Sequence, residues 1–168
     1  SYERSGTIAE MLEKYKDATD KESETREKIC GRVMSMRGHG KTAFFHVMDA
    51  SGKMQVYARK DVLGDADYEI FRKTDIGDIV GVEGTVFRTH TGEITVKAAK
   101  VEMLTKSLLP LPEKWHGLKD KETRYRKRYV DLIANEDVRK AFETRVLMIK
   151  EIRAYLDSLG FMEVETPM

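Results

Sequence analysis

The spacing of apolar positions along this chain changes period twice. Residues 6–17, "GTIAEMLEKYKD", set Ile8, Met11, Leu12 and Tyr15 at the three- and four-residue spacing of an amphipathic helix. Thr7 ahead of that stripe and Glu10 three residues later have the signature of a capping box. "ATDKESETREK" follows, polar and without period, and reads as a linker or frayed helix end. From Ile29 to about Thr105 the period falls to two, which predicts strands at "ICGRVMSM", "TAFFHVMD", "KMQVYAR", "DIVGVEGTVFRT" and "EITVKAAKVEML". The turn-forming stretches "RGHGK", "ASG" and "HTG" and a helical "DADYEIFRKT" separate them.

Five strands with a helix between the third and fourth is the order of the oligonucleotide-binding (OB) barrel, although other small five-stranded barrels share the pattern. Pro110 and Pro112 in "KSLLPLPEKWHGLKD" then break the strand rhythm and favour an extended connector. Helical spacing returns in "KETRYRKRYVDLI", with Tyr125, Tyr129 and Ile133 on one face and Leu132 beside them. A longer helix is expected to open at Asn135 as N-cap, with Glu136 and Asp137 suited to the positive end of its dipole. Val138, Phe142, Val146, Ile149, Leu156 and Leu159 form its apolar stripe, and Gly160 is a natural stop. "FMEVETP" reads as a strand ended by Pro167. A long amphipathic helix with one strand does not close a core, so its apolar face is expected to pack on the barrel, on another chain, or on further parts. The expected fold is therefore mainly β with α. It divides into an N-terminal helix and linker (1–27), a five-stranded barrel (28–106), a connector (107–119) and the start of a second, truncated domain (120–168).

Composition narrows the chemistry. The 30 Lys and Arg against 29 Asp and Glu leave a net charge of +1, so any nucleic-acid surface must be a local patch. A single cysteine, Cys30, excludes an internal disulfide and a cysteine-based zinc site. With neither a signal peptide nor an apolar run long enough to span a membrane, a cytoplasmic location is expected. "GHGKT" lacks the glycine that a phosphate loop requires at Ser35 and precedes a strand, so it reads as a hairpin turn. His39, His46, His90 and His116 show no metal-ligand spacing, and no metal site is predicted. Carboxylate pairs such as Glu163 and Glu165 alternate along a strand and point to opposite faces. No nucleophile, base and orienting group come together as a set, and no catalytic residue is assigned in this chain.

The barrel carries the informative residues. Phe44 and Phe45 are adjacent, so one should enter the core and the other face outward, where an exposed ring suits stacking on an unpaired base. Gln55, between Met54 and Val56, should face out and can both donate to and accept from a base edge. Arg32, Arg37, Lys41 and Arg59 can supply charge for a phosphate backbone. A barrel with a merely scattered polar surface is the alternative.

"KWHGLKDKETRYRKRYVDLI", with "GRVMSMRGHGKTAFFHVMDASGKMQVYARKD" before it and "GFMEVETPM" after it, resembles the N-terminal part of class II lysyl-tRNA synthetases from about Lys28 to Met168. Related aspartyl and asparaginyl enzymes share the barrel but usually lack the "HGLKD" lead. The resemblance implies that the basic run Arg124, Arg126, Lys127 and Arg128 belongs to a helix joining an anticodon-binding barrel to a catalytic domain. It implies that 137–167 is motif 1, which in the family builds a homodimer interface, here through Val138, Phe142, Val146, Ile149, Leu156 and Pro167. It also implies that Phe44 and Gln55 hold the central anticodon base of tRNA-Lys, that Glu93 reads a neighbouring base, and that Arg37 lies within reach of phosphate or base. Arg32, Lys41, His46 and Arg59 are further possible RNA contacts. Complete members use ATP and magnesium to activate lysine before acylating tRNA. The motifs that hold ATP are not among these 168 residues, so the chain is expected to bind tRNA without a cofactor and without catalysis. An aspartyl or asparaginyl synthetase fragment, and a non-catalytic OB-fold assembly or dimerisation protein, are the alternatives.

Overall fold

Period-two alternation produces five strands in the computed structural model, which describes residues 2–39, 41–111, 118 and 120–167. They are β1 (Arg26–His39), β2 (Thr42–Met48), β3 (Lys53–Arg59), β4 (Ile79–Arg88) and β5 (Ile94–Thr105). They close into a barrel in the order β1-β2-β3-β5-β4, with β3 and β5 parallel and the other pairs antiparallel. The "GHGKT" stretch connects β1 to β2 as a turn, and its Gly40 lies outside the described residues. Alternate residues fill the interior: Val33, Val47, Val56, Val80, Val82, Val86, Val96 and Val101 are all buried. Two glycines allow strands to close tightly. A Cβ on Gly84, opposite a bulge at Ala99 of β5, would lie 2.0 Å from the Lys97 carbonyl oxygen, and one on Gly31 would lie 2.4 Å from that of Met48.

Helices seal the barrel. α1 (Ile8–Lys14) begins at the expected capping box, where Glu10 accepts from the Thr7 N–H at 2.7 Å and Thr7 accepts from the Glu10 N–H at 3.3 Å. A barrel carboxylate joins the cap, because Asp49 accepts from the Ile8 N–H at 3.0 Å. α2 (Lys60–Arg72) bridges β3 and β4, with a break at Gly64 (φ 77°, ψ 170°). It buries Leu63, Tyr68 and Phe71, and Phe71 meets Phe45 at 5.3 Å between ring centroids.

The stretch expected to be a linker or frayed helix end is instead part of the sheet margin. β4 runs past the beginning of β1, which leaves the backbone of Val86 and Arg88 in need of partners. Ser23 N–H donates to the Val86 carbonyl at 2.8 Å, the Ser23 hydroxyl accepts from the Val86 N–H at 2.9 Å, and Arg88 N–H donates to the Thr19 carbonyl at 2.7 Å.

The chain divides into two units after Pro110. Most of the connector, 112–117 and 119, with Pro112 and much of the "HGLKD" lead, lies outside the described residues. In the second unit the predicted continuous helix is broken into α3 (Lys121–Arg126) and α4 (Arg128–Ala134) by Lys127 (φ −115°, ψ 53°). Asp131 is the focus of this region. It is fully buried and accepts from Arg124 Nε at 3.1 Å, Arg128 Nη1 at 2.8 Å and Asn135 Nδ2 at 2.5 Å. The Arg128 guanidinium also lies between the Tyr125 and Phe142 rings, 5.0 and 5.2 Å from their centroids. The expected apolar face is thus corrected, since Tyr125 and Tyr129 are exposed and the arginines turn inward to a carboxylate. Asn135 sits at the N-cap of α5 (Glu136–Ser158) but makes no capping bond, its amide being committed to Asp131. α5 ends as expected. Gly160 (φ 81°) follows the last turn, and the N–H groups of Gly160 and Phe161 bond the carbonyls of Asp157 and Leu156. The strand predicted for Phe161–Pro167 does not form, because no described strand lies beside it to complete a ladder.

Candidate nucleic-acid interface

A bulge in β1 between Val33 and Ser35 decides which side chains reach the outer surface of the barrel. Before it, odd-numbered Ile29 and Val33 point inward. After it the parity reverses, so Ser35 and Arg37 point outward and Met36 packs against the core. The strand register then aligns two lateral rows. One runs Arg37, Phe44, Tyr57, Lys97 and Thr85, and the other Ser35, His46, Gln55, Thr95 and Phe87.

The first row supplies stacking surface. Phe44 is 39% exposed and stacks on Tyr57, with centroids 4.6 Å apart and rings inclined by 25°. Tyr57 in turn receives Phe87 edge-on at 6.5 Å. Phe45 is buried, so Phe44 is the outward member of the adjacent pair. Tyr57 and Phe87 were not singled out from the sequence. Tyr57 was legible there, since it stands two residues after the outward Gln55 and shares its face.

The second row is a hydrogen-bonded chain. Ser35 Oγ lies 2.8 Å from His46 Nδ1, and His46 Nε2 lies 2.8 Å from Glu93 Oε1. The other Glu93 oxygen accepts from Gln55 Nε2 at 2.7 Å, and Gln55 Oε1 accepts from the Thr95 hydroxyl at 2.8 Å. Of the residues expected to meet RNA, the structure therefore brings Arg37, Phe44, His46, Gln55 and Glu93 together. Ser35 and Thr95 join the cluster from positions without an individual sequence signal.

The four candidate cations differ in availability. Arg37 and Lys41 are exposed and their side chains make no ion pair or hydrogen bond among the described residues. Arg59 is held by Asp61, whose own carboxyl is kept below its ordinary range by those hydrogen bonds. Arg32 lies apart, paired across the ladder with Met48 and donating to the Gly77 carbonyl at 2.6 Å. Lys97 binds Glu22 at 2.6 Å, and Glu22, also bonded by Thr85, is held low by both contacts. In the basic run at 124–128, Arg124 and Arg128 serve Asp131 and Arg126 pairs with Glu122, while Lys127 is exposed.

Among the described residues no cluster of three or more His, Cys, Asp or Glu side chains could hold a metal, and no helix is long and apolar enough to cross a membrane.

Comparison with known families gives two matches. Residues 27–104 match the OB-fold nucleic acid binding domain, and residues 120–168 match the class II tRNA synthetases (D, K and N). Relatives named lysine–tRNA ligase align with 99% of the chain. That of Carboxydothermus hydrogenoformans is 54% identical, that of Oceanobacillus iheyensis 53%, and that of Staphylococcus aureus 49%. The chain spans about a third of the length of these curated relatives, 33–35% in each case. With an OB barrel followed by the opening helices of a class II unit, the chain belongs to the lysyl-tRNA synthetase family of class II and corresponds to its N-terminal third.

Proposed function

We propose that the barrel face binds the anticodon loop of tRNA-Lys, as the recognition portion of an enzyme that uses ATP and magnesium to activate lysine and attach it to tRNA. The observation that carries this reading is the exposed Phe44–Tyr57 stack lying directly beside the Gln55 amide. A stacking platform next to an oriented donor and acceptor is what an unpaired base requires. Arg37 and Lys41, exposed and without a side-chain partner among the described residues, suit the flanking phosphates. The ligase chemistry is assigned to the whole protein. These 168 residues are expected to give no lysine-dependent pyrophosphate exchange above a mock purification.

Filter binding of transcribed tRNA-Lys against tRNA-Asp tests the assignment. Preference for tRNA-Lys is expected. Preference for tRNA-Asp would point to the aspartyl branch, and equal or absent binding of both would remove the reading. We further propose that α5 meets a second copy. Phe142, Val146, Ile149 and Leu156 are exposed along one stripe while Val138 is half-buried, and Pro167 lies in the exposed segment beyond.

A further inference from the structure

Glu93 is not a free carboxylate waiting for a base, because each of its oxygens already has a protein partner. We propose that His46 is a positioning residue: acting through Glu93, it locks the Gln55 amide in one orientation, and that lock makes the face select uracil over cytosine. The inference rests on the lysine-anticodon reading above, in which the central base is uridine.

A carboxylate only accepts, so Gln55 must turn its NH2 group toward Glu93 and its carbonyl toward the Thr95 hydroxyl. Reversing the amide would set a carbonyl oxygen against a carboxylate; the Thr95 hydroxyl, which also reaches the Glu93 carbonyl at 3.2 Å, would not prevent it, so Glu93 carries the constraint. Glu93 enforces this only while it stays in place. Its side chain is 42% exposed on the residue preceding β5, and the contact that keeps its second oxygen from swinging away is His46 Nε2. That ring is itself held, with a side chain only 22% exposed and Ser35 on its other nitrogen. Because Glu93 can only accept, the hydrogen between them sits on Nε2.

With one N–H and one lone pair used internally, the Gln55 amide keeps one N–H and one carbonyl lone pair for a base edge. Uracil offers N3–H as donor next to a carbonyl acceptor. Cytosine offers N3 as acceptor next to an amino donor, the reverse order. When the stack on Phe44 sets the position of the base, a freely turning amide can satisfy either pyrimidine, whereas a locked one matches a single order.

The test is a titration of two synthetic anticodon stem-loops of tRNA-Lys, with uridine or cytidine as central base, into the 168-residue chain, read by fluorescence anisotropy. The wild-type chain is expected to prefer uridine by roughly 10- to 100-fold, the discrimination of one bidentate contact. His46→Ala should bring the ratio below about 3-fold, chiefly by improving the cytidine loop, and His46→Gln, which keeps an N–H donor, should restore most of it. Equal weakening of both loops by His46→Ala, or an unchanged ratio, would overturn the lock while leaving anticodon binding intact. A wild-type ratio near one, or a preference for cytidine, would overturn the underlying reading and the lock with it. If His46→Ala does not fold, Ser35→Ala retains the ring, frees Nδ1 and is expected to lower the ratio by about 3-fold; an unchanged ratio there also overturns the proposal.

Discussion

Two adjacent phenylalanines should separate folding from RNA binding. Phe45 is fully enclosed against Phe71, so Phe45→Ala leaves a cavity and should cost about 3–5 kcal/mol of stability. Phe44 is 39% exposed, so roughly three-fifths of its apolar burial is lost on truncation, about 1–2 kcal/mol. The stack on Tyr57 adds about 0.5–1 kcal/mol. A total near 2 kcal/mol leaves most of the chain folded if stability lies in the usual range of about 5–15 kcal/mol. For RNA the order reverses. Phe44→Ala removes a stacking face and should weaken binding of the lysine anticodon stem-loop by about 1–3 kcal/mol. That corresponds to roughly 5- to 150-fold in Kd. Phe45→Ala, measured where it is folded, should stay within about 3-fold of wild type, because its ring does not reach the surface. Urea denaturation gives the stabilities and a stem-loop titration the affinities. Undiminished affinity in Phe44→Ala, with loss only in a folded Phe45→Ala, would refute the assignment of the outer face.

Acid should act through buried carboxylates. Burial pushes the Asp78 carboxyl up, but hydrogen bonds from the Asp75 N–H, Lys106 and the Ser107 N–H outweigh it and hold it below its ordinary value. Its contribution is therefore complete above about pH 4 and lost as pH falls through the lowered folded value. The urea midpoint should hold from neutrality to about pH 5 and drop below about 4, with Asp78→Asn lower at pH 7 but flatter in acid. Other carboxylates held low, among them Asp49, Glu27 and the buried Asp131, contribute to the slope that remains. Gly84→Ala should lower the same midpoint by an amount equivalent to about 2–3 kcal/mol, because its Cβ would meet backbone rather than a side chain that can move. A cost below 0.5 kcal/mol, within the usual range for surface changes, would show that β4 and β5 separate easily there. Sedimentation of the whole chain beside a version ending near Pro112 should show self-association only in the former. Two monomers at the same high concentration would remove the α5 dimer.

Local rules reached far into this protein. Alternation identified all five strands, the Thr7–Glu10 pair placed the start of α1, and Gly160 marked the end of α5. Each depends on neighbours within a turn or a pleat, whose geometry is set by bonded sterics and short hydrogen bonds. The adjacency of Phe44 and Phe45 showed that one must face out, but alternation has no origin of its own. Which of them it was depended on the closed barrel and its core. The reversal of parity between Val33 and Ser35 was equally invisible, since a bulge is defined only by the partner strand it opposes. Asp131 ended a predicted continuous helix by gathering two arginines, an interaction that helical spacing alone does not rank above the Tyr125 and Tyr129 stripe. Thr19 and Ser23 read as linker because their partners lie more than sixty residues ahead, on a strand whose overhang exists only once the barrel has closed. His46 and Glu93 are 47 residues apart and meet only because β2 pairs with β3 and β3 with β5. Side-chain identity determined what each group could donate or accept. Which groups met was left to closure of the sheet, since contacts between distant residues form only when burial of the shared core offsets the entropy of bringing them together.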